Sequence, residues 1–307
     1  MIRSVASSLL ARGIARTAVA PVVARAPWAR FSSTVAKDEP FLQVTRDTLP
    51  DGQFSGVVQV KFNRPKSLNA LTHAMGLEFS QIMKDLAKDK TIRAMILSGE
   101  GRAFSAGGDL DFLDARVEAS PVANTEVMRE FYSLFLSVRS VPFPTIAAIN
   151  GPAIGAGFCL ALACDLRLAT ADAKVGLNFV KLGIPAGMGA QTTVEMLAGP
   201  QVAARLLLTG DILTGAEAQQ LGLVLATHAT PTDLADHATA LARSMASASP
   251  VAVRLTTQSL RLRINEALER GLKREADTQA IAYASRDFKV GMKAIRTKAT
   301  PVFENVE

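Results

Sequence analysis

Two short stretches of this chain combine small residues with glycine in a way that suits carbonyl chemistry. They are residues 103–110, AFSAGGDL, and residues 145–165, TIAAINGPAIGAGFCLALACD. Each follows a strand-like run and precedes a helix-like or irregular one. Small residues where a helix begins leave backbone N–H groups without intrahelical acceptors. Two such donors converging on one point can hold the oxyanion formed on a carbonyl. Two other readings of the longer stretch fail. It has the length of a membrane span, about 20 residues, but Asn150-Gly151-Pro152 would break a spanning helix midway, and no Lys/Arg pattern flanks it. Its glycines, Gly151, Gly155 and Gly157, match neither the dinucleotide fingerprint nor the lysine-bearing phosphate loop.

The elements that must position these turns read as an alternation of strands and helices. Residues 56–62, GVVQVKF, alternate and are β-branched, and residues 92–99, IRAMILSG, form a second strand. Between them Met75, Phe79, Ile82, Met83 and Leu86 recur at helical spacing. Asn124 is placed to cap a helix whose Met128, Phe131, Phe135 and Val138 line one face, ending before Pro142 and Pro144. PTIAAIN is then a buried strand and FCLALAC a short helix. Pro200 opens a helix at a favoured first-turn position. Thr214 and Glu217 form a capping box, with Gly222 closing the helix. From Thr232 onward the pattern is helical almost to the end, with interruptions expected at Pro250 and Gly271.

Composition narrows the function classes. Five arginines and no acidic residue fall in residues 1–36, so most of the net charge of +6 lies there and the remaining body is close to neutral. A nucleic-acid partner is therefore not expected. The Arg-, Ser- and Ala-rich residues 1–31 have the composition of a mitochondrial transit peptide, with Arg30-Phe31-Ser32 as the cleavage neighbourhood, which points to the mitochondrial matrix. Residues 40–230 read as a mixed α/β core and 231–307 as a helical C-terminal region. Cys159 and Cys164 lie inside the apolar stretch without a CxxC spacing, and His73, His228 and His237 form no ligand motif, so no metal is expected.

The segments GRAFSAGGDLDFL and PTIAAINGPAIGAGFCLALACDLRLAT, in that order, resemble the crotonase, or enoyl-CoA hydratase/isomerase, superfamily. The resemblance begins near VKFNRPKSLNALT, runs through VKLGIPAGMGA and AARLLLTGDILTGAEAQQLGLV, and reaches the C-terminal KATPVF. It implies an α/β spiral of β-β-α turns with a helical C-terminal trimerisation region, assembled as a homotrimer or homohexamer. It also implies an acyl-CoA thioester bound between the two glycine turns, with CoA part of the substrate and no separate cofactor. Carried over position by position, Gly108 and Ala156 match the two N–H donors of the oxyanion hole. Ala156 stands where glycine is common, and it keeps its N–H. Ala106, Asp109 and Leu110 match positions beside the thioester and its pantetheine arm. Asn69, Ala70 and Leu71 match a loop near the adenine, and Lys298 a contact to a CoA phosphate. For Asp109 a turn-stabilising carboxylate is an equal reading.

The family's acid–base groups are missing. Hydratases of this family use two glutamates; their positions hold Cys159 and Phe179 here, and a third family location near Ala186 and Gly187 is not acidic either. Positioned acids and bases contribute about 10²–10⁴-fold, so ordinary hydration is in question while enolate stabilisation is retained. Asp111, Asp114, Glu118 and Glu195 are the nearby acids that could substitute. Three readings follow: an enoyl-CoA hydratase/isomerase-type enzyme working through the backbone oxyanion hole, a decarboxylase of malonyl-type CoA, or an acyl-CoA-binding subunit without turnover.

Overall fold

The computed structural model describes residues 39–304, so the transit-peptide reading of residues 1–31 lies outside the described residues. Strands β1 (Leu42–Thr48), β2 (Phe54–Phe62), β3 (Ala94–Gly99), β4 (Thr145–Ile149), β6 (Leu166–Thr170) and β9 (Ala226–His228) form one sheet in the order β1-β2-β3-β4-β6-β9. β1 runs antiparallel to β2 and the remaining pairs are parallel. A smaller sheet holds β5 (Ala153–Ile154), β7 (Lys174–Gly176) and β8 (Ile212–Thr214) in the order β5-β7-β8. The chain thus alternates between sheets: β4 of the large sheet leads to β5 of the small one and then to helix α4 (Ala156–Ala163), and β6 leads to β7 in the same way. Isolated bridges between Leu71 and Gly108 and between Ser105 and Ala153 bring the earlier turns into the same stack.

The burial pattern explains each element. Helix α1 (His73–Lys88), introduced by Thr72 as its N-cap, buries Met75, Gly76, Phe79, Ser80 and Met83 on one face. β4 is buried at every position because helices cover both faces of the sheet around it. α4 has no polar face at all, and all eight of its residues are buried. On the outer face of the large sheet, helix α8 (Pro231–Ser247) sets Leu234, Ala238, Ala242 and Ala246 against Val57, Ile96, Ile146 and Leu168. The small alanines at four-residue spacing let the helix lie close.

Two expectations need correction. The helix after the first glycine turn, α2 (Leu110–Val117), is followed by α3 (Pro121–Leu136), whose N-cap is Ser120 and not Asn124. Asn124 is wholly buried inside α3, and its Nδ2 donates to the Arg116 carbonyl at 2.9 Å, tying α3 to the end of α2. Gly271 does not interrupt the C-terminal pattern: α9 (Pro250–Tyr283) runs through it for 34 residues. A Cβ at Gly271 would stand 2.5 Å from Thr192 Oγ1, so the glycine serves close packing against α5 (Ala190–Ala198). The break comes instead at Ala284–Ser285, before α10 (Arg286–Thr297). β1, which the sequence pattern did not signal, exposes most of its length and gains its strand identity from its partner β2. The capping box at Thr214 and Glu217, opening α7 (Gly215–Gln220), and Pro200 at the start of α6 (Pro200–Thr209) are as expected.

α9 is pinned at one point that matters for the site. The buried Arg261 guanidinium donates through Nε to Asp165 Oδ1 at 2.7 Å and to the carbonyls of Arg139, Val141 and Phe143. Asp165 in turn accepts from the Thr145 N–H at 2.7 Å and its hydroxyl at 2.8 Å. The single acidic residue of the 145–165 stretch is therefore structural. It fixes α9 to the base of β4, and α9 carries Glu275, Gln279 and Tyr283 at four-residue spacing on the same face.

Candidate active site

The two glycine turns meet. Ser105 N donates to Pro152 O at 3.0 Å and Ile154 N to Ser105 O at 3.0 Å, so the first turn adds to the edge of β5. The approach is too close for side chains. A Cβ at Gly107 would stand 2.6 Å from Ile154 O, and one at Gly157 would stand 2.5 Å from Ser105 O. Gly107 also takes φ +98°, a region that L side chains rarely adopt. From the other side, Leu71 N donates to Gly107 O at 2.7 Å and Asp109 N to Leu71 O at 3.0 Å. This pairing uses the residues flanking Gly108 and leaves the Gly108 N–H without an acceptor among the described residues. Ala156 is the first residue of α4, so its N–H has no intrahelical acceptor.

Both donors line one cavity of about 100 Å³. Ala106, Leu110, Phe112, Phe131, Ile154 and Phe179 supply much of its apolar wall. No acidic side chain lines it among the described residues. Its polar side chains are Asn178, Gln279, Tyr132 and Tyr283, the last two being the only tyrosines of the chain. Tyr132 Oη donates to Gln279 Oε1 at 2.6 Å, Tyr283 Oη donates to the same oxygen at 3.1 Å, and Gln279 Nε2 donates to Pro185 O at 2.8 Å.

Cys159 and Phe179 fall where the resemblance places carboxylates. Cys159 is a buried residue of α4, with Sγ 3.4 Å from Gly187 O. Burial pushes its thiol well above the ordinary value, and the Glu275 charge nearby adds to the shift, so it is no nucleophile at neutral pH. The Phe179 ring reaches beside Gly155 in the second glycine turn. Asp111, Glu118 and Glu195 are exposed and Asp114 pairs with Arg296; none lines the cavity.

The remaining expected positions divide. Ala106 and Leu110 line the cavity, whereas Asp109 caps α2, accepting from Asp111 N at 3.1 Å with Arg64 3.4 Å away. Asn69 is fully buried, and its side chain is spent on the loop itself: Nδ2 donates to Glu100 O and Ala103 O, and Oδ1 accepts from Arg64 N. Leu71 is a core residue paired to the Gly107–Asp109 turn, with Ala70 half-buried beside it. The Asn69 and Leu71 side chains therefore hold the loop and are closed to a ligand. Lys298 is exposed at the end of α10 in a left-handed conformation.

The family pattern described as enoyl-CoA hydratase/isomerase matches residues 52–306. The chain belongs to that family. The 2,3-dehydroadipyl-CoA hydratase of Escherichia coli strain K12 is 33% identical over 249 residues, 81% of this chain and 95% of its own length. The mitochondrial enoyl-CoA hydratase domain-containing protein 2 of Bos taurus is 33% identical over 256 residues, 82% of this chain and 86% of its own. Among solved structures, an enoyl-CoA hydratase from Mycobacterium avium subsp. paratuberculosis K-10 aligns with a TM-score of 0.75 at 30% identity, covering 86% of this chain and 99% of that one. The α/β crotonase-like fold with its mixed sheet and helical C-terminal region is therefore shown, and an acyl-CoA substrate fits the family.

Sequence reading missed Tyr132, Gln279 and Glu275. Tyr132 hides in the apolar stripe of α3, and the only available signal is its hydroxyl on an otherwise apolar face. Glu275 is 2% exposed and accepts from Gly189 N at 2.6 Å and Gln191 N at 3.1 Å, capping α5, which has no side-chain cap of its own. Burial raises its carboxyl to about 7 against the two N–H donors that lower it. Because the folded value exceeds the unfolded one, stability present below about pH 4.5 is lost as pH rises through 7, by roughly 3 kcal/mol. The urea midpoint of the wild type is expected to fall between pH 5 and 8 by this contribution, and Glu275→Gln to flatten the profile. An unchanged profile in the variant would remove Glu275 as its source.

Proposed function

We propose that this protein is an acyl-CoA enzyme that holds the thioester carbonyl oxygen on the N–H groups of Gly108 and Ala156 and stabilises an enolate there. The carrying observation is that two turns from different parts of the chain present unbonded N–H donors to one apolar cavity. In an apolar cavity, preorganised donors aimed at a developing negative charge act more strongly than they would in water. In this reading the pantetheine arm passes Ala106, Asp109 and Leu110, the adenine lies near the Asn69-Ala70-Leu71 loop, and Lys298 meets a CoA phosphate. Cys159 and Phe179 replace the family's glutamates.

The acid-free cavity favours a second reading of the same site. Decarboxylation of a malonyl-type CoA needs chiefly enolate stabilisation, because the departing CO₂ leaves its electron pair on the α-carbon. Hydration asks more of the wall, since a water must be activated as well.

The Arg-rich N-terminal composition, together with a mitochondrial relative, supports a place in the mitochondrial matrix; import of the chain into isolated mitochondria with loss of residues 1–31 would bear this out, and retention outside them would refute it. Exposed Leu255, Leu260, Leu262 and Ile281 on α9 support assembly as a homotrimer or homohexamer, and a monomeric mass in light scattering would rule this out.

The decisive variants delete one donor each. Gly108→Pro removes an N–H that no pairing uses, and the nearest atom to a side chain there is Leu113 at 3.7 Å. Ala156→Pro places proline at a first helical position, where it is well tolerated. Both are expected to keep the thermal transition and to lower conversion by about 10²–10³-fold, read by mass spectrometry on 2-trans-enoyl, 3-cis-enoyl, 3-hydroxyacyl and malonyl-type CoA thioesters. Conversion untouched by both variants would contradict the oxyanion role. Saturable acyl-CoA binding with no conversion by the wild type would instead identify a binding subunit.

A further inference from the structure

Two of the positions where the resemblance places a carboxylate, Cys159 and the Ala186–Gly187 pair, meet beside one hydroxyl, that of Tyr132. Tyr132 reaches into the cavity from α3 and is 2% exposed. Its oxygen lies so close to Gly187 that a Cβ at that position would stand 2.1 Å from it. The hydroxyl therefore fills the volume of a side chain at 187. Cys159 Sγ, at the first carboxylate position, donates to the carbonyl of the same Gly187. Gln279 Oε1 accepts from the Tyr132 hydroxyl, and the Met188 backbone N–H faces its oxygen, so the group is held from two sides. Tyr283 is differently placed: it bonds to Gln279 and to Met128 Sδ, and its ring meets Phe288 edge-on.

We propose that the Tyr132 hydroxyl is the proton donor to the α-carbon of the thioester enolate held on Gly108 and Ala156. The inference rests on the acyl-CoA reading above. In hydration of a 2-enoyl thioester, the water oxygen bonds to the β-carbon and the double-bond electrons move toward the thioester carbonyl. The Tyr132 O–H bond breaks as a C–H bond forms at the α-carbon, and the phenolic oxygen takes the proton that the water releases. The tyrosine is regenerated and one water has been added. In loss of CO₂ from a malonyl-type thioester, the same hydroxyl protonates the enolate, and the phenolate then takes a proton from solvent water. Burial raises the phenol well above its ordinary value, which keeps the donor protonated at neutral pH.

The test uses the full chain in D₂O with crotonyl-CoA and malonyl-CoA as substrates and butyryl-CoA as the binding probe. The 3-hydroxybutyryl-CoA formed by the wild type from crotonyl-CoA is expected to carry deuterium on one face of the α-carbon, and acetyl-CoA formed from malonyl-CoA to carry deuterium in its methyl group. Tyr132→Phe keeps the ring and is expected to cut kcat by about 10²–10⁴-fold while the Kd for butyryl-CoA stays within about three-fold. Replacing Tyr132 with 3-fluorotyrosine, a more acidic phenol, is expected to restore turnover and move the pH profile, which a packing role would not do. That replacement also serves if Tyr132→Phe does not fold, and an unmoved profile overturns the proposal. Full turnover in Tyr132→Phe with loss in Gly108→Pro would overturn the Tyr132 role and leave the acyl-CoA reading standing. Butyryl-CoA binding without conversion of either substrate by the wild type would overturn Tyr132 as a proton donor, and no thioester binding at all would overturn the acyl-CoA reading itself.

Discussion

The hydrogen bonds between Ser105 and the Pro152–Ile154 segment bring two distant strand-to-helix turns to one cavity. Each turn contributes one of the two donors that line the cavity. Joined, they present Gly108 and Ala156 together, and the joint tolerates no side chain at Gly107 or Gly157 because carbonyl oxygens stand where a Cβ would go. The rest of the fold serves this contact. Parallel pairing of β3 with β4 sets the turns side by side, the Leu71 bridge fixes the far edge of the first turn, and the Asn69 side chain locks the loop behind it.

A second constraint is electrostatic. The cavity wall is apolar and carries no carboxylate among the described residues, and the buried charges around it are satisfied elsewhere. Asp165 is committed to Arg261 and Thr145, and Glu275 to the start of α5. The unbonded backbone donors on the cavity wall are the Gly108 and Ala156 N–H groups, and the Tyr132 hydroxyl lines the same cavity, held by Gln279. Such groups cost no reorganisation when charge develops, because the fold already fixes their direction. The proposed enolate chemistry therefore rests on preorganised dipoles and not on ionised side chains.

Much of this was legible in the sequence, for reasons that are local. The glycine turns, the α1 stripe of Met75, Phe79 and Met83, the Thr214 capping box and Pro200 each act through near neighbours in the chain. What was not legible depends on distant partners. Ser120 rather than Asn124 caps α3 because Asn124 is drawn inside by the Arg116 carbonyl. Gly271 reads as a helix breaker until Thr192 is seen against it. Tyr132 and Gln279 come from α3 and α9, far from either turn in sequence, and the packing of α9 on α3 and α5, held by the Arg261–Asp165 anchor, brings them to the cavity and Glu275 to the start of α5. The absence of glutamate at 159 and 179 was plain from the chain; the hydroxyl that fills part of the space was not.

The central claim is that Gly108 and Ala156 donate together to a thioester carbonyl, and the carbonyl itself reports this. Isotope-edited infrared spectroscopy of butyryl-CoA carrying ¹³C at the thioester carbon would follow the C=O stretch on binding. Two fixed donors in an apolar cavity weaken the double bond, so the bound frequency should lie below that of the free thioester in water, with part of the shift lost in Ala156→Pro. A bound carbonyl that absorbs at or above the frequency of the free thioester would contradict the account.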